Sequence, residues 1–190
     1  TYGKTLTLND GVIKTFDVSS EPTKADIKYI NNFLISYVEK FFELNEKDKI
    51  GESFGIRGVF TFGQRYEYMD TNYTYDASTG EILAYFPKEF QMNTAFSKAN
   101  IIEESGTAYG IKGPYLYFDK VALEEIEKIA NQIDGYNISK KDDEESYYFS
   151  INMLNIPSIT LVFDKKPIKY NHKNIETELY KLKDYILQDC

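Results

Sequence analysis

The stretch SSEPTKADIKYINNFLISYVEKFFELNEKDKIG, Ser19 to Gly51, sets the frame for everything around it. Ile27, Ile30, Leu34, Tyr37, Val38 and Phe41 recur at three- and four-residue intervals, which on a helix gathers them along one apolar face. Ser19 or Ser20 can cap the start, Pro22 suits a first turn that needs no N–H, and Gly51 is the stop. This predicts the longest helix of the chain. Its apolar stripe must be covered by another layer, and the flanking sequence offers strands.

Before it, KTLTLNDGVIKTFDV reads as two strands around Asn9-Asp10-Gly11, residues that accept positive φ and so mark a hairpin. After it, ESFGIRGVFTFG puts Phe54, Ile56, Phe60 and Phe62 on one strand face, with Gly58 where a neighbour can approach closely. QRYEYMDTNYTYD alternates as well, with a parity shift at Asp70-Thr71-Asn72 that predicts a bulge or turn, and EILAYF returns after a DASTG loop. Residues 87–106 read as a connection with a short helical piece. From GIKGPYLYF the pattern restarts with a strand to Phe118, then a helix begun by Asp119 with Val121, Ile126, Ile129 and Ile133 inward and a stop at Gly135. SKKDDEES reads as a solvated loop, YYFSINML and SITLVF as strands. A terminal helix is expected from Ile175, Leu179, Leu182 and Ile186 in NHKNIETELYKLKDYILQD.

The predicted order is ββ-α-βββ-β-α-ββ-α. Hairpin connections favour antiparallel pairing, so the expected class is α+β, antiparallel sheet with helices packed on one side. With 190 residues, one domain spanning 1–190 is expected, built from two similar halves at about 1–90 and 107–190.

Composition narrows function. A net charge of −8 argues against nucleic acid and anionic membrane surfaces, both of which call for clustered Lys and Arg. No apolar run is long enough to span a bilayer, so any membrane attachment would come through an N-terminal anchor that precedes Thr1. The start at Thr1 instead of Met fits a leader removed by processing, and abundant Lys, Asn, Ile and Tyr with two Arg fits an AT-rich bacterial genome. The expected location is extracytoplasmic, exported or tethered at a bacterial cell surface.

Catalytic sets are hard to assemble from these residues. Nucleophilic hydrolysis wants a base beside Ser or Cys, whereas the single His172 is expected to be solvated or capping and the single Cys190 ends the chain. One His and one Cys cannot complete a zinc site, and Asp142, Asp143, Glu144 and Glu145 lack the alternating ligand spacing of a calcium loop. GESFGIRG has the glycines of a phosphate cradle but leads into a strand pattern. Glu67, Asp70, Asp76 and Glu81 near two arginines are read as cross-strand salt bridging. No catalytic residue, metal site or cofactor is therefore assigned.

What remains is the aromatic surface of QRYEYMDTNYTYDASTGEILAYF, Gln64 to Phe86, with five of the 17 tyrosines. If Phe and Ile fill the core, these tyrosines lie on an uncovered sheet face whose composition suits protein binding. Within it, YDASTGEIL, Tyr75 to Leu83, resembles the hairpin of PepSY-type domains, where a D-A-x-T-G-E run joins two strands after an initial helix. The resemblance implies a non-catalytic extracytoplasmic module of a kind often linked to peptidase inhibition. The leading expectation is a protein-binding domain, an inhibitor or immunity protein that neutralises a bacterial toxin or exported enzyme. Its partner-binding residues are expected to be Arg57, Arg65, Tyr66, Glu67, Tyr68, Tyr73 and Tyr75. The alternatives are a ligand-binding or His-independent enzyme domain with a helix–sheet pocket, and a structural component of a surface or secretion assembly.

Overall fold

The computed structural model describes residues 4–7, 11–65, 72–75, 82–85, 93–153 and 156–188, with 4–7, 72–75 and 82–85 given as backbone. Its first part holds β1 (Lys4–Thr7), β2 (Val12–Thr15), α1 (Lys24–Ile50), β3 (Gly58–Phe60), β4 (Asn72–Tyr75), β5 (Ile82–Tyr85) and α2 (Thr94–Ser105). A short 3-10 turn, Gly106–Tyr109, leads to β6 (Leu116–Asp119) and α3 (Lys120–Asn131). The rest is β7 (Tyr136–Asp142), β8 (Ser146–Met153), β9 (Ser158–Asp164), β10 (Ile168–His172) and β11 (Ile175–Gln188). Seven strands form one sheet in the order β3-β6-β11-β9-β8-β7, with β10 also paired to β11. Only β3–β6 is parallel within it. The class is α+β with a mostly antiparallel sheet, as expected. The β1–β2 and β4–β5 hairpins pair as read from the sequence, each as a two-stranded sheet of its own.

The long helix starts at Thr23 and not at Ser19 or Ser20. The Asp26 carboxylate reaches back to accept from the Thr23 N–H at 2.8 Å and from its hydroxyl at 2.7 Å, and caps of this kind stabilise a helix start by about 1 kcal/mol. Ile27, Ile30, Leu34, Val38 and Phe41 are buried as the spacing predicts. Each fully buried side chain of this size contributes about 1.5–3 kcal/mol, so the stripe holds α1 to the sheet.

Alternation along β6 shows that the sheet has two covered faces. Leu116 and Phe118 point into a core shared by α1, α3, β8 and β9, whereas Tyr117 between them joins Ile102, Ile111, Tyr170 and Leu179 in a second, smaller core. Ile102 belongs to α2. Helices α1 and α3 thus lie on one face and α2 on the other, which corrects the expectation of helices on one side only. Residues of α1 share the larger core with strands from the C-terminal part of the chain.

The expected terminal helix is instead the end of a long hairpin. β9 and β10 run one after the other along β11, and Lys173 and Asn174 turn the corner with φ of 47° and 63°, the positive pair that a two-residue hairpin loop demands. Leu179 faces the smaller core and Leu182 the larger one, with a register shift between Leu182 and Asp184. A strand buried on both faces therefore imitates helical spacing. Ile186, expected inward, is half exposed.

Other departures are local. SKKDDEES is half strand: β7 carries Lys140, Lys141 and Asp142, and the turn begins at Asp143. There Asp143 Oδ1 accepts from the N–H groups of Glu145 and Ser146 at 2.8 and 2.6 Å, while Oδ2 accepts from the Tyr148 hydroxyl at 2.7 Å. Residues 53–57 form no strand, Phe54 is fully exposed, and Val121 points outward from α3. Gly58 does mark a close approach, since a Cβ there would meet Leu116 at 2.8 Å and the Tyr37 hydroxyl at 3.2 Å. The parity shift at Asp70-Thr71 and the DASTG loop lie outside the described residues.

Candidate binding cleft

The first end of the sheet opens into a cleft of about 1300 Å³. One wall is the run 11–20 that contains β2, the other is 57–65 around β3, and faces of α1, α2 and α3 complete it. Local chemistry explains the placement. Beyond β3, the Thr61 hydroxyl donates to the Ala95 carbonyl at 2.7 Å, the Gln64 N–H donates to Thr94 Oγ1 at 2.7 Å, and Arg65 pairs with Asn93, so residues 61–65 are laid against the start of α2. Asn93 caps that helix by accepting from the Phe96 N–H at 3.0 Å.

Aromatic rings line the cleft and continue into the core. Phe16 meets Phe33 at 4.8 Å between centroids, Phe33 meets Phe60 at 6.3 Å, and Phe60 meets Phe118 at 5.0 Å. Such pairs add about 0.5–1.5 kcal/mol each beyond the area they bury. Phe33 is the one ring that bridges the two walls in this series. Burial pushes the Tyr37 hydroxyl above its ordinary pKa, so at neutral pH it is a phenol.

Charge in the cleft is balanced. Among the described residues, four cationic and four anionic ones line it, and these cations are already engaged. Arg57 donates to the Glu103 carboxylate at 2.5 Å and to the Ile111 carbonyl at 3.2 Å; Arg65 lies 3.0 Å from Asp17; Lys128 lies 3.3 Å from Glu125. Lys14 sits over the Phe33 ring, 4.9 Å from its centroid. Neither His nor Cys is among the lining residues. Such a surface can hold an uncharged chain with apolar side chains, and it concentrates no field of one sign.

Of the residues expected to bind a partner, Arg57 and Arg65 both line this cleft, and both are mostly buried in ion pairs. Tyr66, Glu67 and Tyr68 lie outside the described residues. Tyr73 and Tyr75 stand in β4 opposite Ala84 and Ile82, in a hairpin separate from the seven-stranded sheet. Elsewhere, tyrosines fill cores: Tyr117 and Tyr170 are fully buried, Tyr147 stacks on Phe163, and Tyr180 meets the same ring edge-on. Phe16, Asp17, Phe33 and Phe60 shape the cleft, and sequence reading did not single them out as a site. His172 is in β10, 2.9 Å from the Tyr109 hydroxyl, and does not line the cleft.

Among the described residues, no helix is long and apolar enough to cross a membrane, and no group of three or more His, Cys, Asp or Glu is placed to hold a metal. The PepSY-like run joins β4 to β5. No protein-family model, curated protein or solved structure matches this chain.

Proposed function

We propose that this chain is a non-enzymatic protein-binding domain and that it binds through the cleft between β2 and β3. One observation carries the reading: an open cleft of about 1300 Å³, walled by extended backbone and aromatic rings, with Arg57, Arg65 and Lys128 held in ion pairs along it. Enclosing sites for small molecules run to about 300–1000 Å³, so an open cleft of this size suits a segment of another protein better. In its finer form the proposal is an inhibitor or immunity protein acting on a bacterial toxin or exported enzyme outside the cytoplasm. The net charge of −8, which favours a basic partner, supports that form.

The test is affinity capture with the purified domain from envelope and secreted fractions, followed by purification of the captured protein. Wild type, Phe60→Ala and the Tyr73→Ala, Tyr75→Ala double variant are compared. The expected result is one partner whose affinity falls about tenfold or more with Phe60→Ala, as for loss of a central aromatic anchor, and whose own activity is quenched by the domain. Unchanged affinity with Phe60→Ala, together with loss in the tyrosine variant, moves the binding surface to the β4–β5 hairpin. A partner whose activity is untouched overturns the inhibitor form.

A further inference from the structure

Among the described residues, no further strand pairs with the β3 edge of the sheet, which ends inside the cleft. Among the described residues β3 pairs with β6 alone, with Gly58 opposite Leu116 and Phe60 opposite Phe118, and the Gly58 N–H donates to the Tyr115 carbonyl at 3.1 Å. In a parallel ladder alternate residues bond to alternate sides. Gly58 and Phe60 therefore serve β6, and Val59 between them turns its N–H and C=O toward the other edge. Across the cleft, β2 pairs with β1 alone among the described residues. Both strands line the same space.

We infer that the cleft takes an extended segment of another protein as an added strand along the β3 edge; the inference rests on the protein-binding reading. The outward N–H and C=O of Val59 form one donor–acceptor pair of the kind that a residue of an added strand meets. A helix satisfies its backbone internally and has no N–H and C=O to offer this pair, whereas an extended peptide laid along β3 meets it and continues past Gly58 and Phe60. Of the devices that blunt an exposed edge, β3 has shortness, at three residues, but not Lys, Pro or a bulge. The balance of four cationic and four anionic residues asks for no net charge in the segment.

The two faces of β3 also set a side-chain pattern. Phe60 points to the larger core and the Phe33 ring, and Val59 points to the smaller core beside α2. An added strand presents alternate residues to these two environments. On the Phe60 side, Phe16, Phe33 and Ile129 line the cleft and accept large apolar residues; on the α2 side, Ala95, Phe96, Ala99, Asn100 and Glu103 make a mixed surface that admits polar ones. The preferred segment alternates large apolar with polar residues.

The experiment uses the full chain and a library of fluorescent eight-residue peptides of that alternating pattern, with block-scrambled sequences of the same composition as controls. Each is also made with N-methyl groups on one or the other parity of backbone amides. Alternating peptides are expected to bind in anisotropy titrations, and N-methylation of one parity to weaken them about tenfold, the worth of a lost backbone hydrogen bond or two, with the other parity unaffected. Slowed amide exchange at Val59 on binding, and a comparable loss with Val59→Pro, which an edge position tolerates, complete the supporting result. Peptides that bind equally well with either parity methylated overturn strand addition while leaving a protein-binding cleft. Failure of every library peptide overturns it too, and the affinity capture above then decides the wider reading separately. Protection of Val59 that grows with protein concentration in the absence of peptide also overturns it, in favour of a second copy of this chain on the edge.

Discussion

The two ends of the seven-stranded sheet are built on opposite principles. At one end β7 presents Asn137, Ser139, Lys140, Lys141 and Asp142 to solvent, a charged and polar edge on which another strand would have to bury like charges and long side chains. At the other end β3 is three residues long, half-buried and uncharged, and it faces the cleft. The ends are also held differently. The β3 end leans on a buried ion pair, Lys98 of α2 with Asp119 at the end of β6, 2.5 Å apart, and the Thr177 hydroxyl of β11 donates to the same carboxylate at 2.5 Å. The β7 end is closed by the Asp143 turn at the surface. One edge is charged and solvated, and the other is braced from behind and, among the described residues, carries no further strand.

Three substitutions sharpen or break this contrast. The largest effect is expected for Asp119→Ala. It leaves Lys98, whose side chain is only 17 % exposed, without its carboxylate, and such losses cost about 3–5 kcal/mol. Urea unfolding should show a loss at the lower end of that range, because Lys98 can turn toward water; a change below about 1 kcal/mol would mean the ion pair does not brace the β3 end.

Asp143→Ala should lower the urea midpoint by less, with little change in slope. The Tyr148 hydroxyl, then the N–H groups of Glu145 and Ser146, hold the Asp143 carboxyl below its usual range. A depressed folded value means that its stabilising contribution is complete above the unfolded value of about 3.9 and fades as pH falls through the folded one. Wild type and variant should therefore converge in stability on acidification below about pH 4. A constant gap across that window would assign the loss to the turn backbone instead.

The smallest change in stability, within about 0.5 kcal/mol, is expected for Lys141→Ile on the exposed edge. Its readout is association. Sedimentation should show concentration-dependent dimers that wild type lacks, and a variant that stays monomeric would show that the β7 charges are not what guards that edge.

Local signals carried much of the fold. The α1 stripe, the β1–β2 and β4–β5 hairpins and the tight approach at Gly58 were all legible, because each depends on residue spacing or backbone conformation within a few positions. The C-terminal region was not. Leu179 and Leu182 satisfy a helical stripe and also a strand packed on both faces, and only the presence of Tyr117 on one side and Phe118 on the other separates the two. The cleft was legible only through Arg57 and Arg65. Phe16 and Phe60 lie more than forty positions apart in the chain and are linked through Phe33 of α1, a relation that no local pattern contains.

The tyrosines mark the same boundary. Their abundance correctly signals a β-rich chain, since the ring suits a pleated surface. Whether a given ring is buried was settled by the strand's neighbours, as Tyr117 and Tyr170 under α2 and Tyr147 beside Phe163 show. By itself the sequence determined the α+β class, the position of the longest helix and the sites where the chain reverses, for periodicity and turn chemistry act over a few residues. Tertiary structure alone decided that the last segment is a strand, that α2 lies across the sheet from α1 and α3, and that two strand edges share one cleft. Those outcomes depend on which distant surfaces bury one another, and the same short pattern can satisfy more than one such arrangement.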